Sequence, residues 1–147
     1  MFQKILAAIN SDPRRADEVV NVAGELARAF EADMLVVHVR EMKRVAALAG
    51  TAPGAAPPAL HMESEREASA FVDGIVSRLR EHGLRVQGRV HDRCYGGSTA
   101  KELVDIASSY KASLIVVGER GTKVADLLGG ISRKVVHAAP CPVLMVR

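Results

Sequence analysis

The sequence has no tryptophan, two tyrosines and three phenylalanines, so aromatic residues make up only 3% of the chain. Stacking platforms for exposed bases are therefore scarce, which argues against a single-stranded nucleic-acid binder. Lys plus Arg number 20 against 17 for Asp plus Glu, a net charge of +3 spread along the chain. No concentrated basic face of the kind a nucleic-acid interface needs is visible. The two cysteines, Cys94 and Cys141, do not form a CxxC pair and exclude a disulfide framework. No apolar run approaches the roughly 18 residues of a membrane span. The run Ile5 to Ile9 is too short for a signal peptide. The expected location is the cytoplasm, with both thiols reduced, no membrane insertion and no nucleic-acid partner.

What is present is an aliphatic core. Hydrophobic residues make up 48% and charged residues 25% of 147 residues, the composition of one ordinary globular domain spanning 1–147. A chain of this length buries about two-thirds of its unfolded surface, enough for a core without crosslinks. Four short apolar runs stand out: Ile5–Ile9, Met34–Val39 (interrupted only by His38), Leu114–Gly118 and Val143–Val146. Strands apolar on both faces are covered on both faces.

Between these runs the period changes to that of helices. Asp12-Pro13 reads as a cap and first turn, followed by Ala16, Val19, Val20, Ala23, Leu26, Ala27 and Phe30 over about 14–31. A second stripe, Ala68, Phe71, Val72, Ile75, Val76 and Leu79, predicts a helix over about 62–82 with Gly83 just past its end. Leu84, Val86, Gly88 and Val90 alternate as a strand buried on one side at a sheet edge. Gly96-Gly97-Ser98 is a turn and cap for a third helix, and a short fourth covers about 130–138. Pro53, Pro57 and Pro58 argue against a helix in 43–60, which reads as a mobile surface excursion. Strands alternating with helices, without an internal repeat, give an α/β fold: an open, doubly wound, Rossmann-like parallel sheet.

In such sheets, ligands sit at the carboxyl ends of the strands, where the strand order reverses. Three segments can supply that site: Ala8-Ile9-Asn10-Ser11-Asp12, Val39-Arg40, and Gly118-Glu119-Arg120-Gly121 with Gly129-Gly130-Ile131-Ser132. The third is the strongest. Glycines let backbone N–H groups approach an anion, and a helix N-terminus adds free N–H groups and partial positive charge. Ser132 offers a hydroxyl, and Arg120 and Lys123 offset phosphate charge. The segment is neither a GxxxxGK[ST] loop nor a GxGxxG fingerprint. Elsewhere, His38 reads as a hydrogen-bonded core histidine, His91-Asp92 as a solvated strand end, and Cys141 between two prolines as structural. Arg133-Lys134 reads as a solvated helix face. The five histidines show no metal spacing.

These segments together resemble a universal stress protein domain from Met1 to Arg147. The resemblance lies in Lys4-Ile5-Leu6-Ala7-Ala8-Ile9-Asn10, Leu35-Val36-Val37-His38-Val39, Gly97 before the third helix, Gly118-Glu119-Arg120-Gly121, Leu127-Leu128-Gly129-Gly130-Ile131-Ser132 and Ala139-Pro140-Cys141-Pro142-Val143-Leu144-Met145-Val146. It implies a five-stranded sheet of order 3-2-1-4-5 with helices on both faces. It also implies a cytoplasmic homodimer paired through 143–146, and bound ATP or another adenine nucleotide, with Mg2+ able to accompany it. The family's closing motif is G-x2-G-x9-G-[ST]. Carried over by position, the implied nucleotide contacts are Ala8, Ile9, Asn10, Val39, Val117, Gly118, Arg120, Gly121, Gly129, Gly130, Ile131 and Ser132.

Three departures bear on that site. Asn10 stands where the family usually has Asp, so the position carries no charge. Only Thr122 to Leu128 separate Gly121 from Gly129, a shorter span than the motif's nine residues. Gly130 replaces the Ser/Thr, removing a hydroxyl from the phosphate cradle. The leading expectation is thus a regulatory adenine-nucleotide-binding protein of the stress response, not an enzyme, with a protein partner that the sequence does not identify. The alternatives are a dimeric partner-binding module holding no nucleotide, and a weak ATPase for which Asp12 and Asp126 are the carboxylate candidates.

Overall fold

The computed structural model describes residues 1–40, 63–93, 98–119 and 130–147, together with the backbone of 42–44 and 59–61. The strands are β1 (Lys4–Ile9), β2 (Asp33–Arg40), β3 (Met42–Arg44), β4 (Ala59–His61), β5 (Val86–Asp92), β6 (Leu114–Gly118) and β7 (Val143–Val146). The helices are α1 (Pro13–Ala29), α2 (Glu65–Glu81), α3 (Thr99–Tyr110) and α4 (Ile131–Ala138). Five strands form one sheet in the order β5-β2-β1-β6-β7, every pairing parallel. Numbered among themselves, these strands run 3-2-1-4-5, the expected order.

The two faces of the sheet divide the core. Ile5, Ala7, Met34, Val36, Leu114 and Val116 point to α1 and α2. Leu6, Leu35, Val37, Ile115 and Val117 point to α3 and α4. The alternation of β-strand side chains explains why the central runs are apolar throughout: consecutive residues enter different halves of the core.

The helix ends follow the capping residues. Asp12 accepts from the Arg14 amide, Pro13 occupies the first helical position, and Ser98 accepts from the Lys101 amide. Helix α2 starts at Glu65, later than expected, because Ser64 and Glu67 form a reciprocal capping box. At the other end of α2, Gly83 adopts φ +81°. There its N–H donates to Arg80 O at 2.9 Å while the Leu84 N–H donates to Leu79 O at 3.2 Å. This pair of bonds is a Schellman stop, and it takes Leu84 out of the predicted strand and into the helix terminus. Helix α1 stops at Ala29 by the same device, with Glu31 at φ 52° in the left-handed position.

The excursion expected over 43–60 has paired ends. Strands β3 and β4 form an antiparallel ribbon, with Met42 opposite His61 and Arg44 opposite Ala59. Residues 45–58 lie outside the described residues. The strand end at His91 and Asp92 keeps the solvent exposure expected, with the Asp92 side chain 52% and the His91 side chain 34% exposed, and it is also paired. Asp92 takes both Nε (2.5 Å) and Nη2 (2.6 Å) of Arg40, its register partner on β2. His91 Nε2 lies 2.8 Å from Glu102 Oε2. The Asp92 carboxylate raises the Arg40 guanidinium pKa further, and the side chain is buried at 6% exposure.

Candidate functional site

A cleft of about 360 Å³ opens at the carboxyl ends of β2, β1 and β6, within the usual range for small-molecule sites. Strand β1 and the turn after it contribute Ala8, Ile9, Asn10 and Ser11. Strand β2 contributes His38 and Val39. Strand β6 and the residue beyond it contribute Val117, Gly118 and Glu119. Helix α4 enters with Ile131 and Ser132, the latter only 9% exposed. The structure therefore brings together Ala8, Ile9, Asn10, Val39, Val117, Gly118, Ile131 and Ser132 from separate parts of the chain. Gly130 caps α4 immediately before the lining residues, and α4 has no side-chain capping bond. Arg120, Gly121 and Gly129, with Lys123, lie outside the described residues, as does Cys94.

Five lining residues did not stand out in the sequence as site residues: Arg15, Val19, Glu63, Thr99 and Leu103. His38 was read as core, and it is both buried and part of the wall. Its Nδ1 lies 3.2 Å from Ile9 O and its Nε2 meets Glu63 Oε1. A carbonyl oxygen only accepts, so Nδ1 carries a proton. Glu63 is further fixed through its backbone, where Arg40 Nη1 reaches its carbonyl at 3.4 Å. The segment entering α2 is thus fastened to the end of β2 through a side chain and a carbonyl. The one signal for this in the sequence was the Ser64–Glu67 capping box, which leaves Glu63 outside the helix.

On the other side of β1, Arg15 leaves the first turn of α1 and donates from Nη1 to Glu119 O at 2.8 Å. The Glu119 N–H donates to Val146 O at 2.8 Å, and its carboxylate accepts from Arg147 Nε at 2.9 Å. Asn10 Oδ1 accepts from the Asp12 N–H at 3.1 Å, an Asx turn that shapes the exit of β1. Cys141 is a free thiol whose pKa is raised by burial, in keeping with a structural role. Arg133 and Lys134 are exposed on α4, as a solvated face requires.

Thr99, at the start of α3, is 9% exposed, and its Oγ1 is buried with no hydrogen-bond partner among the described residues. An unsatisfied hydroxyl opposes folding by about 1–3 kcal/mol. Thr99→Val keeps the β-branched shape and removes the hydroxyl. The variant is expected to gain about 1 kcal/mol, raising the thermal midpoint by about 2–4 °C. Calorimetry of the ligand-free protein measures this, and an equal loss of stability would mean that the hydroxyl is satisfied.

Comparison with known proteins agrees with this geometry. The model of the universal stress protein family matches residues 1–147. A universal stress protein of Thermus aquaticus is 34% identical over 149 residues, covering 100% of both chains. Among solved structures, a universal stress protein of Archaeoglobus fulgidus in complex with dAMP is 23% identical. It superposes with a TM-score of 0.67, covering 100% of this chain and 98% of that one. A universal stress protein in complex with cAMP is 20% identical with a TM-score of 0.70, covering 99% and 97%. With the sheet order, the cleft and these matches in agreement, the chain belongs to the universal stress protein family.

Proposed function

We propose that this protein binds an adenine nucleotide in the cleft between β2, β1 and β6 and acts through that binding as a cytoplasmic regulator in the stress response, without catalysing a reaction. The observation carrying the proposal is the gathering of Asn10, Val39, Gly118 and Ser132 around one cleft from four separate segments. The lining suits such a ligand. Val39, Leu103, Val117 and Ile131 offer a flat base an apolar surface, while Asn10, Ser11, Arg15 and Ser132 offer polar contacts to a sugar and phosphate. The dAMP and cAMP complexes of the similar structures support the same ligand class.

In this reading the backbone at Val39 meets adenine. The amino end of α4, headed by Gly130 and Ile131, faces the phosphates with its free N–H groups. Glu63 and Glu119 are already engaged by His38 and Arg147, which leaves neither free as a general base. Mg2+ would therefore enter with the ligand's own phosphates. The protein is proposed to work as a homodimer through β7, an edge strand on which Leu144 and Met145 are each 37% exposed. Exposed apolar side chains on a sheet edge favour pairing with a second strand.

One observation favours a partner-binding module without nucleotide. Asn10 carries no charge and already gives Oδ1 to its own turn. Freshly purified protein should be denatured, and any released small molecule identified by mass spectrometry. The stripped protein should then be titrated with ATP, ADP, AMP and cyclic AMP, and sedimented with and without ligand. A dimer that releases or takes up stoichiometric adenine nucleotide is the expected result. If it releases none and shows no titratable affinity, the partner-binding reading replaces it.

A further inference from the structure

The ionisable side chains described in the cleft wall are Arg15, His38, Glu63 and Glu119. Three are matched: His38 with Glu63, and Glu119 with Arg147. Among the described residues Arg15 has no carboxylate partner. Its Nη1 donates to a neutral carbonyl, that of Glu119, which fixes the guanidinium without cancelling its charge. Asn10, on the adjoining turn, carries no charge. The described cleft therefore holds one unbalanced positive charge, in a wall that also includes Val19. The amino end of α1, in whose first turn Arg15 sits, adds partial charge of the same sign.

We propose that Arg15 binds the phosphate of the ligand and makes the site select a phosphorylated nucleoside over the bare nucleoside. The inference rests on the nucleotide reading and adds to it a residue outside the glycine-rich segment. A guanidinium has five donors in a planar fork that matches two phosphate oxygens, and a single bond to Glu119 O leaves most of them available. The same arrangement sets the ligand's direction. Arg15 binds the β6 side of the cleft and Glu63 is fastened to the β2 side, with β1 between them in the sheet. A phosphate is attracted to the first side, whereas the Glu63 carboxylate on the second is matched by His38 and offers no such attraction, so the base lies toward Val39.

The test is calorimetric titration of the parent, Arg15→Gln and Arg15→Lys with adenosine, AMP and inorganic phosphate. Arg15→Gln is expected to weaken AMP by about 10- to 100-fold, as for a lost hydrogen bond to a charged group, while adenosine binding stays unchanged. Arg15→Lys, which keeps the charge but not the fork, should fall between parent and Arg15→Gln. Unchanged AMP affinity in Arg15→Gln overturns the proposal. Equal weakening of adenosine and AMP also overturns it, because Arg15 would then act only by anchoring Glu119. Phosphate alone binding as tightly as AMP would identify a free-anion site. If the parent binds neither adenosine nor AMP, the nucleotide reading fails. The Arg15 inference is then read separately, from the Nε–H NMR signal that Arg15→Gln removes. Movement of that signal with pyrophosphate supports the anion site, and a static signal overturns it.

Discussion

Replacing Gly88 by valine should destabilise the protein by about 3 kcal/mol, at the upper end of overpacking costs. Gly88 lies on the edge strand β5, where its backbone is exposed, yet its missing side chain faces α2. A Cβ built there would stand 2.6 Å from Val72 Cγ1 and 2.9 Å from Val76 Cγ2. Both valines are buried, at 2% and 5% exposure, and they form part of the core between α2 and the sheet. Neither can swing into solvent, so the helix must move away from β2 and β5. Gly88→Ala should show the smaller cost, about 1–2 kcal/mol, because one carbon is added rather than three. Urea denaturation followed by circular dichroism measures both. The cost should appear as a lower midpoint with an unchanged slope. A valine variant as stable as the parent would mean that α2 does not press on β5.

Gly88 also shows how the sequence and the structure relate. Its place in the alternation Leu84, Val86, Gly88, Val90 marks the inward face of an edge strand, and β5 does lie at the edge of the sheet. Nothing in the sequence says that helix side chains would stand within 3 Å of a Cβ placed there, because that contact depends on residues at a distance. The strand boundaries were displaced for two local reasons. Leu84 completes the helix stop with Gly83, and Asp92 is held in the ladder by its register partner Arg40. The central strands were easier to read, because burial on both faces leaves uninterrupted apolar runs at Ile5–Ile9 and Leu114–Gly118.

The site divides in the same way. Asn10, Gly118 and Ser132 sit at strand ends or helix starts, where the alternation of elements points. Arg15 and Thr99 carry no local mark, and Glu63 only the capping box that follows it: each is an ordinary polar residue near a helix start. They become site residues only because α1, α2 and α3 all begin at the same end of the sheet. The placement of Glu63 turns on one cap. A helix beginning near 62 would have put its side chain in a helical register, whereas the Ser64 cap frees it to meet His38.

Replacing Gly118 by valine should reduce nucleotide affinity by about 10- to 100-fold, the equivalent of about 1–3 kcal/mol of crowding. Gly118 ends β6, pairs with Val146 and lines the cleft. A Cβ there would lie 3.2 Å from Val19 Cγ2, and Val19 is itself a lining residue. The contact is close enough to make Val19 yield by a few tenths of an ångström, a smaller intrusion than the one at Gly88. A β-branched residue is well suited to a strand, so the fold should survive with a loss of about 1 kcal/mol or less. The added carbons occupy the cleft at the β6 end, against the ground shared by Val19 and Glu119. Gly118→Ala should therefore weaken binding only slightly and Gly118→Val strongly, while thermal unfolding stays nearly constant through the series. Titration of all three proteins with AMP separates the outcomes. Affinity that falls in step with side-chain volume ties the ligand to the end of β6. A valine variant that binds as well as the parent would put the ligand somewhere other than this cleft, and a variant that fails to fold would instead show that the packing of α1 on β6 has no slack at Val19.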